Sequence, residues 1–330
     1  MAGMGKRMRP HTLTIPKPLI PLAGKPIVHW LVEDIISVCS EKVDEIAFVV
    51  GHFGEQTEKE LIDIAAKVGA KGTIHYQDEA LGTAHAVLCA ADALKGKIVV
   101  AFADTLFKAD FKLKEEQESI IWVKKVDNPS AFGVVKLNTD GSVNDFIEKP
   151  KEFVSDEAII GIYYFKDGAK LRAELQYLID NNIKGNNEFQ LTDALQNMKQ
   201  KGLKFFTDTV SEWLDCGNKD ATIDSNQRYL GFLQERKATL RAKSVEIKNS
   251  TIIEPCFIDA DVKIINSVVG PYVSVGKGTV IEKSVIENSI IQQNSMLKNV
   301  NLTNTMVGNN ANIANQPLEL SVGDFNTIEF

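Results

Sequence analysis

No Asp or Glu precedes Glu33, although the 330-residue chain carries 44 acidic against 37 basic side chains, a formal net charge of -7. The acidic balance argues against a general nucleic-acid binder. It also makes Lys6, Arg7, Arg9, Lys17 and Lys25 stand out as a local site for an anion. Cysteine is scarce: Cys39, Cys89, Cys216 and Cys256 are scattered, with no Cys-x-x-Cys. That pattern offers neither a disulfide framework nor a cysteine metal site, and reads as reduced thiols in or near the core. Histidine does not recur after His85. No run of about 18 apolar residues appears, so no membrane span is expected. No charged, apolar and small-residue series marks a secretory signal. With 44% hydrophobic and 25% charged residues, the chain reads as an ordinary globular protein of about two domains.

What is present begins at the first residues. Gly3-Met4-Gly5-Lys6-Arg7 runs into Pro16-Lys17-Pro18-Leu19 and Gly24-Lys25-Pro26. Two glycines let a backbone approach a ligand without Cβ obstruction, and successive free N–H groups can form an anion-binding nest. Basic side chains just beyond can meet phosphate oxygens through charge-assisted hydrogen bonds. The dinucleotide fingerprint requires a third glycine and the P-loop requires Gly-Lys-Ser/Thr; Gly5-Lys6-Arg7 meets neither. The residues alone fit a polyphosphate cradle or a glycine turn with a solvated basic face.

Downstream, helical and strand patterns alternate. His29 to Ser40 has apolar residues at helical spacing, Glu45 to Val50 is a buried-strand run, and Glu55 to Val68 is an amphipathic helix. Thr73 to Gln77 reads as a strand, Gly82 to Leu94 as a helix, and Ile98 to Ala103 as a buried strand ending at Asp104. Such alternation predicts a doubly wound α/β sheet, whose ligands sit at the carboxyl ends of strands. Gln77 and Asp104 fall at such ends. A glutamine amide has one acceptor and two donors, enough to pair with the imide edge of uracil or thymine. It is equally read as a solvated strand end, and Asp104 as the cap of the next turn. His85 reads as a helix-surface or core histidine. Further on, Phe132 to Val135 and Val143 to Ile147 flank the turn residues Thr139 to Ser142, which predicts a hairpin leading to Glu148-Lys149-Pro150. In the buried run Ala158 to Phe165, Gly161 suits close approach of a ligand.

After a long helix from Thr222 to Ala242 the pattern changes. Ile252, Ile258, Ile264, Val269, Val275, Val280, Ile286, Ile291, Leu297, Leu302, Val307 and Ile313 recur every five or six residues among Gly and Asn. Short fixed periods of this kind predict a hexapeptide β-helix. The expected domains are therefore 1–240 and 241–330. The tail from Asn315 to Phe330 carries no signal.

The opening motifs, with Gln77-x4-Gly82-Thr83-Ala84-His85, Glu148-Lys149-Pro150, Glu188-Phe-Gln-Leu-Thr-Asp193 and Trp213-Leu-Asp215-Cys-Gly217, resemble the sugar-1-phosphate nucleotidyltransferases (NDP-sugar pyrophosphorylases). The likeness covers roughly residues 1 to 230 and favours the uridylyl- or thymidylyl-transferring type. The repeat resembles the left-handed parallel β-helix appended to several of these enzymes. The likeness implies a Rossmann-like mixed sheet, doubly wound, followed by that β-helix. It also implies roles. Gly3, Gly5 and Arg7 would hold a nucleoside triphosphate, and Lys17 would neutralise its α-phosphate. Gln77, Gly82 and Thr83 would read the base. Gly133, Glu148, Gly161 and Glu188 would bind the sugar, and Lys149 the phosphate of a sugar 1-phosphate. Asp104 and Asp215 would hold Mg²⁺; they are 111 positions apart, so only the fold can unite them.

The expected reaction gives an NDP-sugar and pyrophosphate in a cytoplasmic setting, with no nucleic acid or membrane as partner. Two alternatives differ from it: a non-catalytic nucleotide-sugar-binding paralogue, and a guanylyltransferase acting on mannose 1-phosphate. Relatives that also transfer acyl groups use a histidine in the β-helix, and none lies there in this chain. The β-helix is read as structural, with a surface available for a homo-oligomer. Members of the family carry a hydrophobic strand directly before the glycine turn, whereas this chain opens inside the turn. The likeness implies a central strand missing from the sheet, by a misassigned start or a truncation, with two sets of ladder groups left unpaired.

Overall fold

The computed structural model describes residue 3, residues 5–185 and residues 187–316. The expected uninformative tail therefore lies, from residue 317 on, outside the described residues. The chain packs as two compact units, Met1–Ile20 with Lys25–Ala221, and Pro21–Gly24 with Thr222–Phe330. No helix of the described residues is long and apolar enough to cross a membrane.

In the first unit, helix α1 (Ile27–Val38) is followed by strand β1 (Glu45–Val50), helix α2 (Glu55–Lys67) and strand β2 (Lys71–Tyr76). Strands β1 and β2 pair in parallel, as a strand–helix–strand crossover requires. Helix α3 is short, Thr83–Leu88, and gives way to a 3₁₀ turn at Ala91–Ala93. Strands β3 (Ile98–Ala101) and β4 (Thr105–Lys108) flank Asp104. Then come β5 (Ser119–Lys125), the hairpin β6 (Gly133–Leu137) and β7 (Val143–Glu148), and β8 (Glu157–Phe165). Helices α4 (Gly168–Asp180) and α5 (Leu191–Gln200) precede β9 (Phe206–Thr209) and β10 (Glu212–Asp215).

The long buried strand β8 organises the mixed sheet: it pairs antiparallel with β3, β5 and β6, while β9 joins β5 in parallel. Alternation along β5 serves both faces. Ile121 and Val123 enter a core shared with Leu171 and Leu175 of α4 and Leu191 and Leu195 of α5. Trp122 points the other way, with Phe107 and Phe111 at ring-centroid distances of 4.9 and 5.7 Å.

The sheet is interrupted. Strand β1 pairs only with β2, and β3 only with β8, among the described residues. Their free edges border one cavity of about 680 Å³, lined by Val32 of α1, Ile46 and Phe48 of β1, Val87 of α3 and Val100 of β3. This apolar slot lies where a central strand would complete the ladder, and its two rims carry backbone groups without a neighbouring strand.

The second unit is a parallel β-helix of about four turns. Its strands stack in three columns, represented by Glu246–Lys248 over Lys263–Ile265, Thr251–Ile252 over Val268–Val269, and Cys256–Ile258 over Val273–Val275. Successive coils are offset by 17 and then 16 residues. Ile258, Val275, Ile291 and Val307 stack in register along one column, and they pack in a common aliphatic core with Ile264, Ile281 and Leu297. The corners explain the asparagines. Asn249, Asn266 and Asn299 stack at positive φ of 47°, 50° and 56°, a conformation asparagine tolerates better than most residues. Helix α6 (Lys219–Glu235) belongs to this unit from Thr222 onward. Its fully buried Asn226 accepts from Ala23 N at 2.9 Å and from Ser274 Oγ at 2.7 Å, and donates to Tyr272 O at 3.3 Å. The repeat pattern begins near residue 241, and the packing unit begins earlier because α6 sits on a coil face.

Candidate functional site

The glycine turn is held from within. Gly5 has φ +56°, its carbonyl accepts from Met8 N at 2.9 Å and from Thr12 Oγ1 at 2.8 Å. A Cβ there would stand 2.9 Å from Thr12 Cγ2 and 3.2 Å from Lys17 Cβ. Both conformation and space therefore demand glycine. Gly3 is exposed, with nothing within 4 Å of where a Cβ would stand. Lys17 opens a 3₁₀ turn after Pro16. Its mostly buried side chain reaches Asp104, with Nζ 2.5 Å from Oδ2.

Asp104 and Asp215 come together through one ladder. Strands β4 and β10 run antiparallel with Thr105 opposite Asp215, and Cys216 N donates to Asp104 O at 2.9 Å. The Asp215 carboxylate also accepts from Gly217 N at 2.8 Å. Burial pushes the Asp215 carboxyl above the ordinary aspartate range; the charge of Asp104 adds to that, while Gly217 N–H, Lys17 and Arg7 oppose it. Arg7 lies on the same side: its Nη2 is 3.3 Å from where a Cβ on Gly217 would be. Two carboxylates and two cations, supplied from four chain segments, thus share one locus. Among the described residues no group of three or more His, Cys, Asp or Glu could hold a metal ion.

A second cluster joins the Gln77 segment to Glu188. Gly82 has φ +119°, and a Cβ on it would stand 2.4 Å from Phe189 O and 3.0 Å from Glu188 Cβ. Ala84 N donates to Phe189 O, Phe189 N to Leu81 O, and Leu191 N to Thr83 Oγ1, each at 2.8–2.9 Å. Thr83 thereby caps the entry to α5. Gln77 folds back on its own loop: Nε2 is 3.2 Å from Gly82 O and 3.1 Å from His85 Nδ1. His85, read from the sequence as a surface or core histidine, is thus a partner of Gln77. Gln77 follows β2 and His85 lies on α3, so no single helix or strand period relates them, and only the loop's return brings them together.

A third cluster lies on the β6–β7 hairpin. Gly133 stands opposite Glu148 in register. A Cβ on it would lie 3.0 Å from Glu148 Oε2 and 3.7 Å from Thr192 Cγ2. Lys149 has φ +46°, donates its N–H to Phe132 O, and places Nζ 3.7 Å from Glu148 Oε1. Phe132 meets Trp213 edge-on at 4.6 Å, two residues before Asp215. Thr192 on α5 ties this cluster to the second, and Trp213 ties it to the first. Gly161, at φ +84° in the β8 irregularity, has the ring of Phe102 where a Cβ would go, 2.9 Å away. Its carbonyl accepts from Phe102 N at 2.9 Å. In this structure the glycine makes room for Phe102, two residues before Asp104.

Comparison with known proteins places the chain in a class. The family described as nucleotidyl transferase matches residues 1–231, and the chain belongs to that family. The bifunctional protein GlmU of Methanococcus maripaludis is 31% identical over 256 residues, covering 77% of this chain; the chain spans 59% of that relative's length. The low-salt glycan biosynthesis nucleotidyltransferase Agl11 of Haloferax volcanii is 30% identical over 313 residues, 85% of this chain and 82% of the relative. Among solved structures, a UDP-glucose pyrophosphorylase complexed with UDP-glucose superposes with a TM-score of 0.58 at 24% identity, covering 70% of this chain and 96% of that one. At that identity the likeness speaks for the fold.

Proposed function

We propose that the protein transfers a nucleotidyl group from a nucleoside triphosphate, UTP or dTTP in preference, to a sugar 1-phosphate, releasing pyrophosphate. The observation that carries this reading is the meeting of Lys17, Arg7, Asp104 and Asp215 beside the Gly5 turn. A purely structural locus has little use for a carboxylate buried beside another carboxylate, since like charges at close range disfavour ionisation.

The nucleophile, a sugar-phosphate oxygen, is already anionic, so no general base is required. Rate enhancement then rests on alignment and on charge placed where it develops. The backbone of Gly3 and Gly5 and the guanidinium of Arg7 hold the triphosphate. Lys17 leaves Asp104 to meet the α-phosphate as negative charge builds on its oxygens. Lys149 leaves Glu148 to hold the sugar phosphate, and Glu148, Gly133, Gly161 and Glu188 face the sugar hydroxyls. Gly82 and Thr83 bring the base-reading loop against Glu188, so both substrates meet on one braced surface.

The donor set also fits Mg²⁺. Asp104 and Asp215 are hard oxygen donors at adjoining ladder positions, and the charge of Asp104 helps to raise the Asp215 carboxyl. Mg²⁺ is often held by one or two carboxylates plus substrate phosphates and water. Asp104 and Asp215 would hold it, and it would supply charge neutralisation to the triphosphate.

The test is to incubate the purified protein with UTP, dTTP or GTP, a panel of sugar 1-phosphates and MgCl₂, and to identify products by mass. A uridine or thymidine diphosphate sugar with equimolar pyrophosphate supports the reading. Product with GTP alone, and with mannose 1-phosphate, would move it to guanylyl transfer. No product with any pair would leave a nucleotide-sugar-binding protein.

A further inference from the structure

The Gln77 amide is held so that it offers the ligand only one kind of group. Its Nε2 lies 3.2 Å from Gly82 O and 3.1 Å from His85 Nδ1. A carbonyl oxygen only accepts, so the amide atom facing Gly82 is the nitrogen; turning the amide over would set Oε1 against that oxygen. The nitrogen carries two hydrogens, and these two contacts use both. His85 Nδ1 is then the acceptor, with the ring proton on Nε2. Gln77 keeps Oε1, an acceptor, for anything that enters from the ligand side. The loop enforces the arrangement, because Gly82 is itself pressed against Phe189 and Glu188 with φ +119°.

We infer that His85 is a positioning residue which, with the Gly82 carbonyl, locks Gln77 as a lone acceptor and so sets which bases the site admits. The inference rests on the reading above, in which Gln77 faces the base. A lone acceptor at the pairing edge suits a base whose ring nitrogen there carries hydrogen: N3–H of uracil or thymine, N1–H of guanine. Cytosine and adenine present a ring nitrogen lone pair at that point, and two acceptors facing each other leave both unpaired. Selection therefore falls between protonated and unprotonated ring nitrogens. Discrimination of this type, in which a site's polar group is left unpaired by the wrong partner, runs to about tenfold to a hundredfold per group.

The experiment measures kcat and KM for UTP, dTTP, GTP, CTP and ATP, each with glucose 1-phosphate, together with calorimetric binding of the same five nucleotides. It uses the full chain, its His85→Leu variant and its His85→Asn variant. Leucine removes the acceptor. Asparagine returns an acceptor oxygen near the place of Nδ1. The wild type should favour UTP over CTP by about tenfold or more. His85→Leu should lower that ratio by a similar factor, mainly through a higher KM for UTP, and His85→Asn should restore most of it. Three results overturn the inference: equal use of CTP and UTP by the wild type, an unchanged ratio in His85→Leu, or an Asn variant as unselective as the Leu variant. The first needs no variant and stands even if His85→Leu does not fold. If the wild type turns over none of the nucleotides, the transferase reading fails. The base rule is then judged on the binding ratios alone.

Discussion

Asp215 sits beside a second carboxylate, with burial pushing its carboxyl upward and Asp104 adding to the push. The consequence for stability has a definite sign. A carboxyl whose folded-state value lies above the unfolded one, about 3.9, binds protons more readily when folded. Stability then falls as pH rises through the window between the two values. Asp215→Asn keeps an oxygen for Gly217 N–H and removes the charge. We expect its Tm at pH 7, without divalent cations, to exceed that of the wild type, and the difference to vanish below about pH 3.9. Added MgCl₂ should raise the Tm of the wild type and not of the variant. A lower Tm for the variant at pH 7 would show that the carboxylate serves structure. At this scale much of the site was legible: a run free of acids, a strand-end aspartate and a Trp-x-Asp-x-Gly stretch are visible in one dimension. The lock on Gln77 was not, because it depends on the Gly82 carbonyl turning back. Nor was the packing of the Phe102 ring against Gly161, which no spacing along the chain marks.

Strands and coils raise a different set of consequences. Among the described residues, the edges of β1 and β3 that border the apolar slot leave backbone groups without a neighbouring strand. In the β-helix, Lys283 occupies a corner at φ +48°, between Asn266 and Asn299 in the same column. Left-handed backbone costs a side-chain-bearing residue roughly 1–2 kcal/mol, and asparagine suffers least after glycine. Lys283→Asn should therefore stabilise the protein by about 0.5–1 kcal/mol in denaturant unfolding; a loss of stability would contradict the corner argument. The repeat period and the alternation of strands and helices could be read from the sequence, since both follow from spacing of aliphatics. Which strand pairs with which could not, because β8 gathers partners from three distant segments.

The whole chain is divided less simply than its sequence patterns. Residues Pro21–Gly24 lie inside the opening motif, yet they pack with the second unit. Ala23 N is held by Asn226, and Gly24, at φ +92°, has the ring of Phe257 within 2.4 Å of where a Cβ would stand. Gly24→Ala should cost about 1–3 kcal/mol of stability, as overpacking does, measured by urea unfolding of the full chain. A neutral outcome would show that Phe257 moves aside freely. No periodicity marks this interleaving: four residues within a basic loop carry no signal for a partner 203 positions away. The basic character of the opening stretch, in contrast, is plain in the sequence, and the fold adds the acids that face it. The most direct test of the account is the initial rate of pyrophosphate release from UTP and glucose 1-phosphate, compared between the wild type and Lys17→Ala. Removing one charge aimed at the developing negative oxygens should lower kcat by about 10²–10³. A Lys17→Ala enzyme that turns over at the wild-type rate would contradict it.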